Sequence, residues 1–165
     1  MQRTTSRSQT QRFAAKLARQ ILRSGPGRKA TVLALSGDLG AGKTTFTQGF
    51  IKALGVKHRV TSPTFLLVRR YEVESPKSKV KGSGNSSTYN LQPITYKDAY
   101  HFDLYRIHAV KELAPLHFGK ILRDPRNIVL LEWPERVRKA IPRSAKWIFF
   151  EHGRNQKERN IKMRK

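Results

Sequence analysis

The sequence predicts an α/β fold, a three-layer sandwich whose mixed sheet has a parallel centre and antiparallel edges. Two observations predict it. Apolar segments of strand length alternate with segments of helical periodicity along the 165 residues, a pattern typical of a parallel sheet covered by helices. Strand-like segments also follow one another closely after residue 60 and at the C-terminus. Such short connections indicate antiparallel pairs, because parallel strands need a long crossover.

The first 25 residues predict a packed helix. Four apolar residues fit one face of this helix: Phe13, Leu17, Ile21 and Leu22. Thr10 could cap its start.

A transit peptide would share the basic, Ser/Thr-bearing and acid-free composition of this segment, whereas the apolar core of a secretory signal is missing. Since no segment is apolar enough to span a membrane, we expect no membrane association and a cytoplasmic location.

A glycine-rich loop follows the first buried strand, "ATVLALSG", and precedes a helix, "KTTFTQGFIKALG", that Gly55 ends. The loop has the P-loop pattern G-x-x-x-x-G-K-T from Gly37 to Thr44. Its backbone N–H groups and the helix N-terminus favour phosphate. Lys43 would reach the β- and γ-phosphates, and Thr44 would bind Mg²⁺. This strand–loop–helix context predicts a P-loop NTPase-like fold, with nucleotide-binding residues Gly37, Asp38, Leu39, Gly40, Ala41, Gly42, Lys43, Thr44 and Thr45.

The rest of the chain predicts further strands with short helices between them. The predicted strands are "FLLVRRYEV", "AYHFDLYRI", "NIVLLEW", "AKWIFFEH" and "RNIKMRK". "KELAPLHFGKIL" predicts a short helix and loop broken by Pro115, and Pro134 begins a second short helix, "PERVRKAIP". Residues 75–97 are poor in apolar residues and rich in Ser, Gly and Lys. They predict a flexible insertion in a single domain, 1–165.

Two carboxylates follow apolar strands and are candidates for the acidic residue that a P-loop NTPase needs near Mg²⁺. Glu132 follows "IVLL" and Asp103 follows "AYHF". If both strands lie beside the P-loop strand, both carboxylates face the phosphates. One could hold the metal and the other orient the attacking water; an ordinary charge at a strand end is the alternative for each. We expect Glu132 to lie nearer the metal, because it ends the more apolar strand.

Other residues have weaker signals. "TSPTF" could supply the hydroxyls of Thr61, Ser62 and Thr64 to the γ-phosphate, Mg²⁺ or water, as in a switch loop, or it could be a plain turn. His101 lies two residues before Asp103, on the same strand face, where an ordinary strand histidine with its hydrogen bonds satisfied is the favoured interpretation. Trp133 is either a wall of the nucleotide pocket or a core residue.

The composition excludes some classes of site and favours one class of partner. The chain has no cysteine, which excludes disulfides and thiolate metal sites. Its 34 Lys and Arg against 11 Asp and Glu give a formal charge of +23. Such a surplus favours polyanions, nucleic acid first among them, although a generally basic surface would give the same count.

Four stretches in order, "GDLGAGKTTF", "VTSPTF", "HFDLYRI" and "LLEWPERV", closely resemble the motifs of the TsaE (YjeE) family. The resemblance covers roughly residues 10 to 162. It implies an ATPase that binds ATP and Mg²⁺, is slow alone, and supports threonylcarbamoyladenosine (t6A) modification of tRNA at position 37. It also implies docking on the TsaB–TsaD heterodimer, and tRNA contact mainly through that complex.

By motif, the resemblance carries the family's site over to this chain. It gives catalytic roles to Lys43, Asp103 and Glu132, and metal binding to Thr44, Glu132 and Asp103. Thr61 to Thr64 match its switch-like loop, and Trp133 follows the acid of its "EWPE" motif. The chain departs from the family in its basic charge, in the long 75–97 insertion and in the few acids after "LYRI".

Two other functions are compatible with part of the pattern. A small P-loop kinase would share the loop but need an acceptor site and an arginine-rich lid, and the Lys/Ser/Gly-rich insertion is a poor lid. A basic nucleic-acid-binding module without catalysis would explain the charge. It would leave the P-loop, Asp103 and Glu132 unexplained.

Overall fold

The computed structural model describes residues 1–57, 60–63, 66–73, 95–155 and 158–164. Within these ranges the strands are β1 (Gln2–Thr4), β2 (Thr31–Gly37), β3 (Val68–Glu72), β4 (Asp98–Asp103), β5 (Asn127–Glu132), β6 (Lys146–His152) and β7 (Arg159–Arg164). The helices are α1 (Arg7–Ser24), α2 (Lys43–Ala53) and α3 (Phe118–Arg123), with two 3-10 helices, Val110–Leu116 and Pro134–Ala140. None of the described helices has the length and apolar character needed to cross a membrane.

The seven strands form one mixed sheet in the order β1-β7-β6-β2-β5-β4-β3. The four central strands are parallel: β2 pairs with β5 and β6, and β4 pairs with β5. The pairs β3–β4, β6–β7 and β1–β7 are antiparallel. The predicted parallel centre with antiparallel edges is therefore confirmed.

Helices cover both faces of the sheet. On one face, α1 and α2 bury their apolar residues against β2, β5 and β6, in a core that includes Leu17, Phe46 and Leu130. On the other face, α3 and the 3-10 helices pack on β2, β4 and β5, around Phe118 and Leu131. The result is the predicted three-layer sandwich.

The predicted packed first helix is present, but the residue that caps it differs from the prediction. Ser6 has extended backbone angles, and its Oγ accepts a hydrogen bond from the N–H of Gln9 at 3.2 Å. Thr10 lies one turn inside the helix and is fully buried, with its Oγ1 2.9 Å from that of Thr4. The prediction was wrong because residues 4–10 contain several Ser and Thr residues, and each hydroxyl is a plausible cap.

Two predicted strands are shorter in the structure. β3 begins at Val68, not before it, since the N–H groups of Leu66 and Leu67 both bond to the carbonyl of Pro63 and Leu67 has φ 61°. β4 ends at Asp103, where the chain turns. β1 was not predicted, because "QRT" has no apolar residue to mark a buried face.

Most of the predicted insertion, residues 75–94, lies outside the described residues. Its last part is anchored. Tyr96 is buried, and its hydroxyl lies 2.8 Å from Thr31 Oγ1 and donates to the carbonyl of Gly25 at 2.9 Å.

Candidate nucleotide site

The P-loop connects β2 to α2 at the carboxyl edge of the parallel strands, where ligands bind in open α/β sheets. Two glycines have conformations and neighbours that a side chain would not allow. Gly37 has φ 143°, and a Cβ there would lie 2.3 Å from the carbonyl oxygen of Phe150. Gly42 has φ 103°, and a Cβ there would meet the side chain of Arg159. Gly42 also begins α2 without a side-chain cap, so the helix N–H groups are left for another acceptor.

Lys43 is buried against its own loop. Its Nζ donates to the carbonyl of Gly37 at 2.5 Å and to that of Asp38 at 2.8 Å. The same atom lies 3.8 Å from the centre of the Trp133 ring. Burial lowers the pKa of Lys43, and nearby acids, Glu132 first, oppose that shift. The ammonium is therefore buried and hydrogen-bonded to two neutral carbonyls.

Glu132 ends β5 and is held by three side chains from two other elements, α2 and β4. Its Oε2 accepts from Thr44 Oγ1 at 2.9 Å, and its Oε1 accepts from Thr47 Oγ1 at 3.2 Å. The Nε2 of His101 lies 2.8 Å from Oε1. Glu132 is 2% exposed and His101 is fully buried. These contacts place the carboxylate beside the hydroxyl of Thr44, the predicted metal ligand.

Asp103 ends β4 directly opposite Glu132, because the parallel register of β4 and β5 pairs these two residues. Its Oδ2 accepts from Ser62 Oγ at 3.0 Å, and its Oδ1 accepts from the N–H of Tyr105 at 3.2 Å. Asp103 is buried. Both carboxylates therefore lie at the same edge of the sheet as the P-loop, as the strand order requires.

The three predicted hydroxyl groups of "TSPTF" have different positions. Ser62 reaches Asp103, whereas Thr61 Oγ1 accepts from Arg69 Nη1 at 2.9 Å. Thr61 lines the neighbouring hollow formed with α1 and α2, not the P-loop cavity. Thr64 lies outside the described residues.

The side chain of Trp133 borders both the core and the P-loop cavity. Its core contacts are on the α3 face. Its ring lies 5.1 Å from that of Tyr105. Trp133 has φ 59°, a left-handed conformation for a bulky residue. Such conformations persist only where the surroundings hold them, and they cluster at binding sites.

An open cavity of about 430 Å³ joins these groups. It is lined by Leu39, Gly40, Gly42, Lys43, Thr44, Thr45, Ser62, Asp103, Tyr105, Glu132 and Trp133. Ala41 is fully buried, and Gly37 and Asp38 contribute the carbonyls that hold Lys43. The glycine cradle, the uncapped helix and the cationic Lys43 fit a phosphate chain, and the hydroxyl and carboxylate oxygens fit Mg²⁺.

Several residues around the loop were not assigned a role from the sequence. Glu135 accepts a hydrogen bond from Ser36 Oγ on β2. The Nε2 of His152 lies 3.2 Å from the carbonyl oxygen of Leu39, and Arg159 lies against Gly42. Glu135 stands in the "EWPER" motif, which signals it. His152 and Arg159 come from the β6–β7 hairpin, more than a hundred residues along the chain, and no local pattern indicates their contacts.

Comparison with known proteins gives one consistent family. A family model described as "Threonylcarbamoyl adenosine biosynthesis protein TsaE" matches residues 4–161. A tRNA threonylcarbamoyladenosine biosynthesis protein TsaE from Haemophilus influenzae is 34% identical over 131 residues, 79% of this chain and 68% of that protein. The protein of the same name from Bacillus subtilis is 33% identical over 111 residues, 67% of this chain and 55% of that protein.

The fold comparison agrees. A crystal structure of Bacillus subtilis YdiB superposes with a TM-score of 0.63 and 24% sequence identity, covering 97% of this chain and 80% of that one. At this identity the likeness shows the fold alone. The match of the family model to almost the whole chain shows more: the chain belongs to the TsaE family, which takes part in threonylcarbamoyladenosine biosynthesis in tRNA.

Proposed function

We propose that this protein binds Mg²⁺·ATP at the P-loop and hydrolyses the ATP, slowly when alone, to support t6A formation at position 37 of tRNA. The proposal includes TsaB and TsaD homologues as partners, with tRNA reached mainly through their complex. One observation carries it: Lys43, Thr44 and the carboxylates of Glu132 and Asp103 meet at one edge of the sheet, around one cavity.

The proposed roles follow from the contacts. Lys43 would exchange the carbonyls of Gly37 and Asp38 for β- and γ-phosphate oxygens, which are stronger acceptors for its charge. Thr44 and Glu132 would hold the metal directly or through water, because their oxygens already lie together. Bound Mg²⁺ would neutralise negative charge that develops on the β- and γ-phosphates.

Asp103 is assigned to the attacking water or to the shell around the metal. Hydrolysis forms a bond between the water oxygen and the γ-phosphorus and breaks the bond from that phosphorus to the β,γ-bridging oxygen. A carboxylate that accepts a hydrogen bond from the water would orient it for in-line attack. The Ser62 hydroxyl, which now donates to Asp103, would move with the nucleotide.

Reconstitution tests the function. The purified chain is combined with TsaB and TsaD homologues, unmodified tRNA, threonylcarbamoyl donor and Mg²⁺·ATP, and t6A is counted per complex. We expect repeated rounds of modification only with this chain and hydrolysable ATP. A yield that is the same without the chain would reject the proposal, and phosphate transfer to a small-molecule acceptor would favour the kinase.

A further inference from the structure

One face of the β6–β7 half of the sheet is open. Along β6, Ile148 and Phe150 point into the core beneath α1 and α2. Trp147 and Phe149 alternate with them and so lie on the opposite face. Both rings are half-buried, and neither belongs to the two cores that the described residues form.

The two rings form a platform. Their centroids are 6.0 Å apart and their planes differ by 19°. The guanidinium carbon of Arg138 lies 5.2 Å from the centre of Trp147, and that of Arg164 lies 5.4 Å from the centre of Phe149. Arg138 comes from the second 3-10 helix and Arg164 from β7, so two different elements each place a cation on the platform.

The charge around the platform is positive. Lys162 stands opposite Phe149 in the β6–β7 register, on the same face. Lys162 forms an ion pair with Glu151 of β6 at 2.9 Å, so the charge of this acid is balanced by Lys162. Arg138 and Arg164 are then the cations that lie over the rings. Lys139 and Arg143 are exposed nearby on the chain. The partner that fits such a face is a polyanion that also carries flat rings.

The distance between the two rings favours single-stranded nucleic acid over a double helix. Bases stacked in a duplex follow one another by about 3.4 Å along a strand. The 6.0 Å between the rings instead suits neighbouring bases that are splayed apart, as they are when proteins bind single-stranded RNA on aromatic residues of a sheet.

We propose that the Trp147–Phe149 platform binds single-stranded RNA. RNA is chosen over DNA because the family takes part in tRNA modification. Arg138 and Arg164, which lie over the rings in the free protein, would turn towards the flanking phosphates, and bases would stack on the ring faces that they leave. The platform lies outside the P-loop cavity, and the inference does not depend on ATP hydrolysis.

The test uses the nucleotide-free full chain and a labelled single-stranded RNA of about 12 nucleotides, within the usual site size. Anisotropy is measured over a series of KCl concentrations. Each stacked base contributes roughly 1–3 kcal/mol, which is at least about fivefold in RNA affinity. The double variant W147L/F149L loses two such contacts, so each lost ring should weaken RNA binding by at least about fivefold. R138Q/R164Q should make the slope of log affinity against log salt shallower by about 1.4.

R19Q/R23Q is the matched control. It removes the same charge from exposed positions of α1, on the opposite face of the sheet, and should leave affinity and slope almost unchanged. Thermal unfolding by circular dichroism checks that each variant is folded. R138Q/R164Q changes only exposed residues and keeps both rings. It therefore tests RNA binding at the platform even if W147L/F149L does not fold.

A second readout observes the ring directly. In a Trp133→Phe background Trp147 is the sole tryptophan, and RNA should quench its fluorescence. Three results would each overturn the proposal: no quenching on binding, equal affinity of the folded ring variant and the parent chain, or equal loss in R19Q/R23Q and R138Q/R164Q. The last would mean that RNA responds only to total charge.

Discussion

Lys43 is held by weak acceptors that a nucleotide would replace. In the structure its ammonium is buried, donates to two loop carbonyls and lies over Trp133. Burial lowers its pKa, so phosphate, which restores a strong opposite charge, should hold it in the protonated form. The proposed affinity for ATP should therefore depend on the Lys43 side chain.

Lys43→Ala should weaken ATP binding at least about tenfold, because a charge-assisted contact in a poorly hydrated site contributes roughly 1.5–3 kcal/mol. Isothermal titration calorimetry with Mg²⁺·ATP measures the change. Lys52→Ala, which removes an exposed lysine near the end of the same helix, should bind as the parent does. Equal affinity of Lys43→Ala and Lys52→Ala would mean that the loop does not hold the phosphates.

Glu132 and Asp103 should matter more for hydrolysis than for binding. Their contacts with Thr44 and Ser62 would place them around the proposed metal and attacking water, where charge counts most in the transition state. Glu132→Gln and Asp103→Asn should each slow phosphate release by about 100-fold or more, with ADP affinity changed far less.

The exposed Glu72 at the end of β3 supplies the control, since Glu72→Gln removes a strand-end carboxylate far from the cavity lining. It should turn over as the parent chain does. If Glu132→Gln lost ADP affinity and turnover in equal proportion, the carboxylate would be holding the site together and not acting on the reaction.

At the scale of elements, the position of the P-loop depends on how closely α2 packs against α1. Gly49 of α2 faces Gln11 of α1 so closely that a Cβ would lie 2.5 Å from the Gln11 Cα. Backbone atoms cannot move aside as a flexible side chain can. The two helices would therefore separate, and the loop at the start of α2 would shift with them.

Gly49→Ala should lower the free energy of unfolding by about 1–3 kcal/mol, the usual cost of overpacking, as measured by urea denaturation. Gly119→Ala is the matched change in α3, where the nearest atom to a new Cβ is Arg123 Nη2 at an ordinary 3.6 Å. That variant should be neutral or slightly more stable, because alanine favours the helix. A neutral Gly49→Ala would contradict the close packing.

At the scale of the whole molecule, nucleotide binding should stabilise the fold, because the site draws on β2, β4, β5 and α2 together. At a concentration about 100 times Kd, a ligand of the folded state contributes about 2.7 kcal/mol. For a domain of this size that corresponds to a rise in Tm of about 5–11 °C. Mg²⁺·ATP should give this rise by differential scanning calorimetry, and AMP, which lacks the β- and γ-phosphates, should not. Equal shifts with both nucleotides would place the binding elsewhere.

Patterns local in sequence allowed much of this architecture to be predicted. The apolar run before Gly37 and the helical spacing after Thr44 were sufficient for the β2–loop–α2 unit. The apolar run before Glu132 identified β5. The sequence did not give the strand order: β5 lies beside the P-loop strand, but β4 lies beside β5 and not beside β2, and this order pairs Asp103 with Glu132.

Contacts between distant parts of the chain could not be predicted. His101 and Thr47 bond to Glu132, and His152 and Arg159 lie against the P-loop, but each looks ordinary in its own segment. The strand histidine is fully buried, but its polar atoms are only partly satisfied: Nε2 bonds to Glu132, which depends on the register of β4 against β5, and Nδ1 has no hydrogen-bond partner among the described residues. Sequence periodicity gives the face on which a residue lies, and only tertiary packing gives the partner.

The most direct test of the account is a crystal structure of the chain with Mg²⁺, ADP and aluminium fluoride, which imitates the phosphate in transfer. We predict Lys43 Nζ within hydrogen-bond distance of the β-phosphate and the fluoride group, and Thr44 Oγ1 bound to the metal. The carboxylate of Glu132 should contact the metal or its waters, with Asp103 near the position of the attacking water. A complex in which neither carboxylate reaches the ion, its waters or the attacking position would contradict the proposed mechanism.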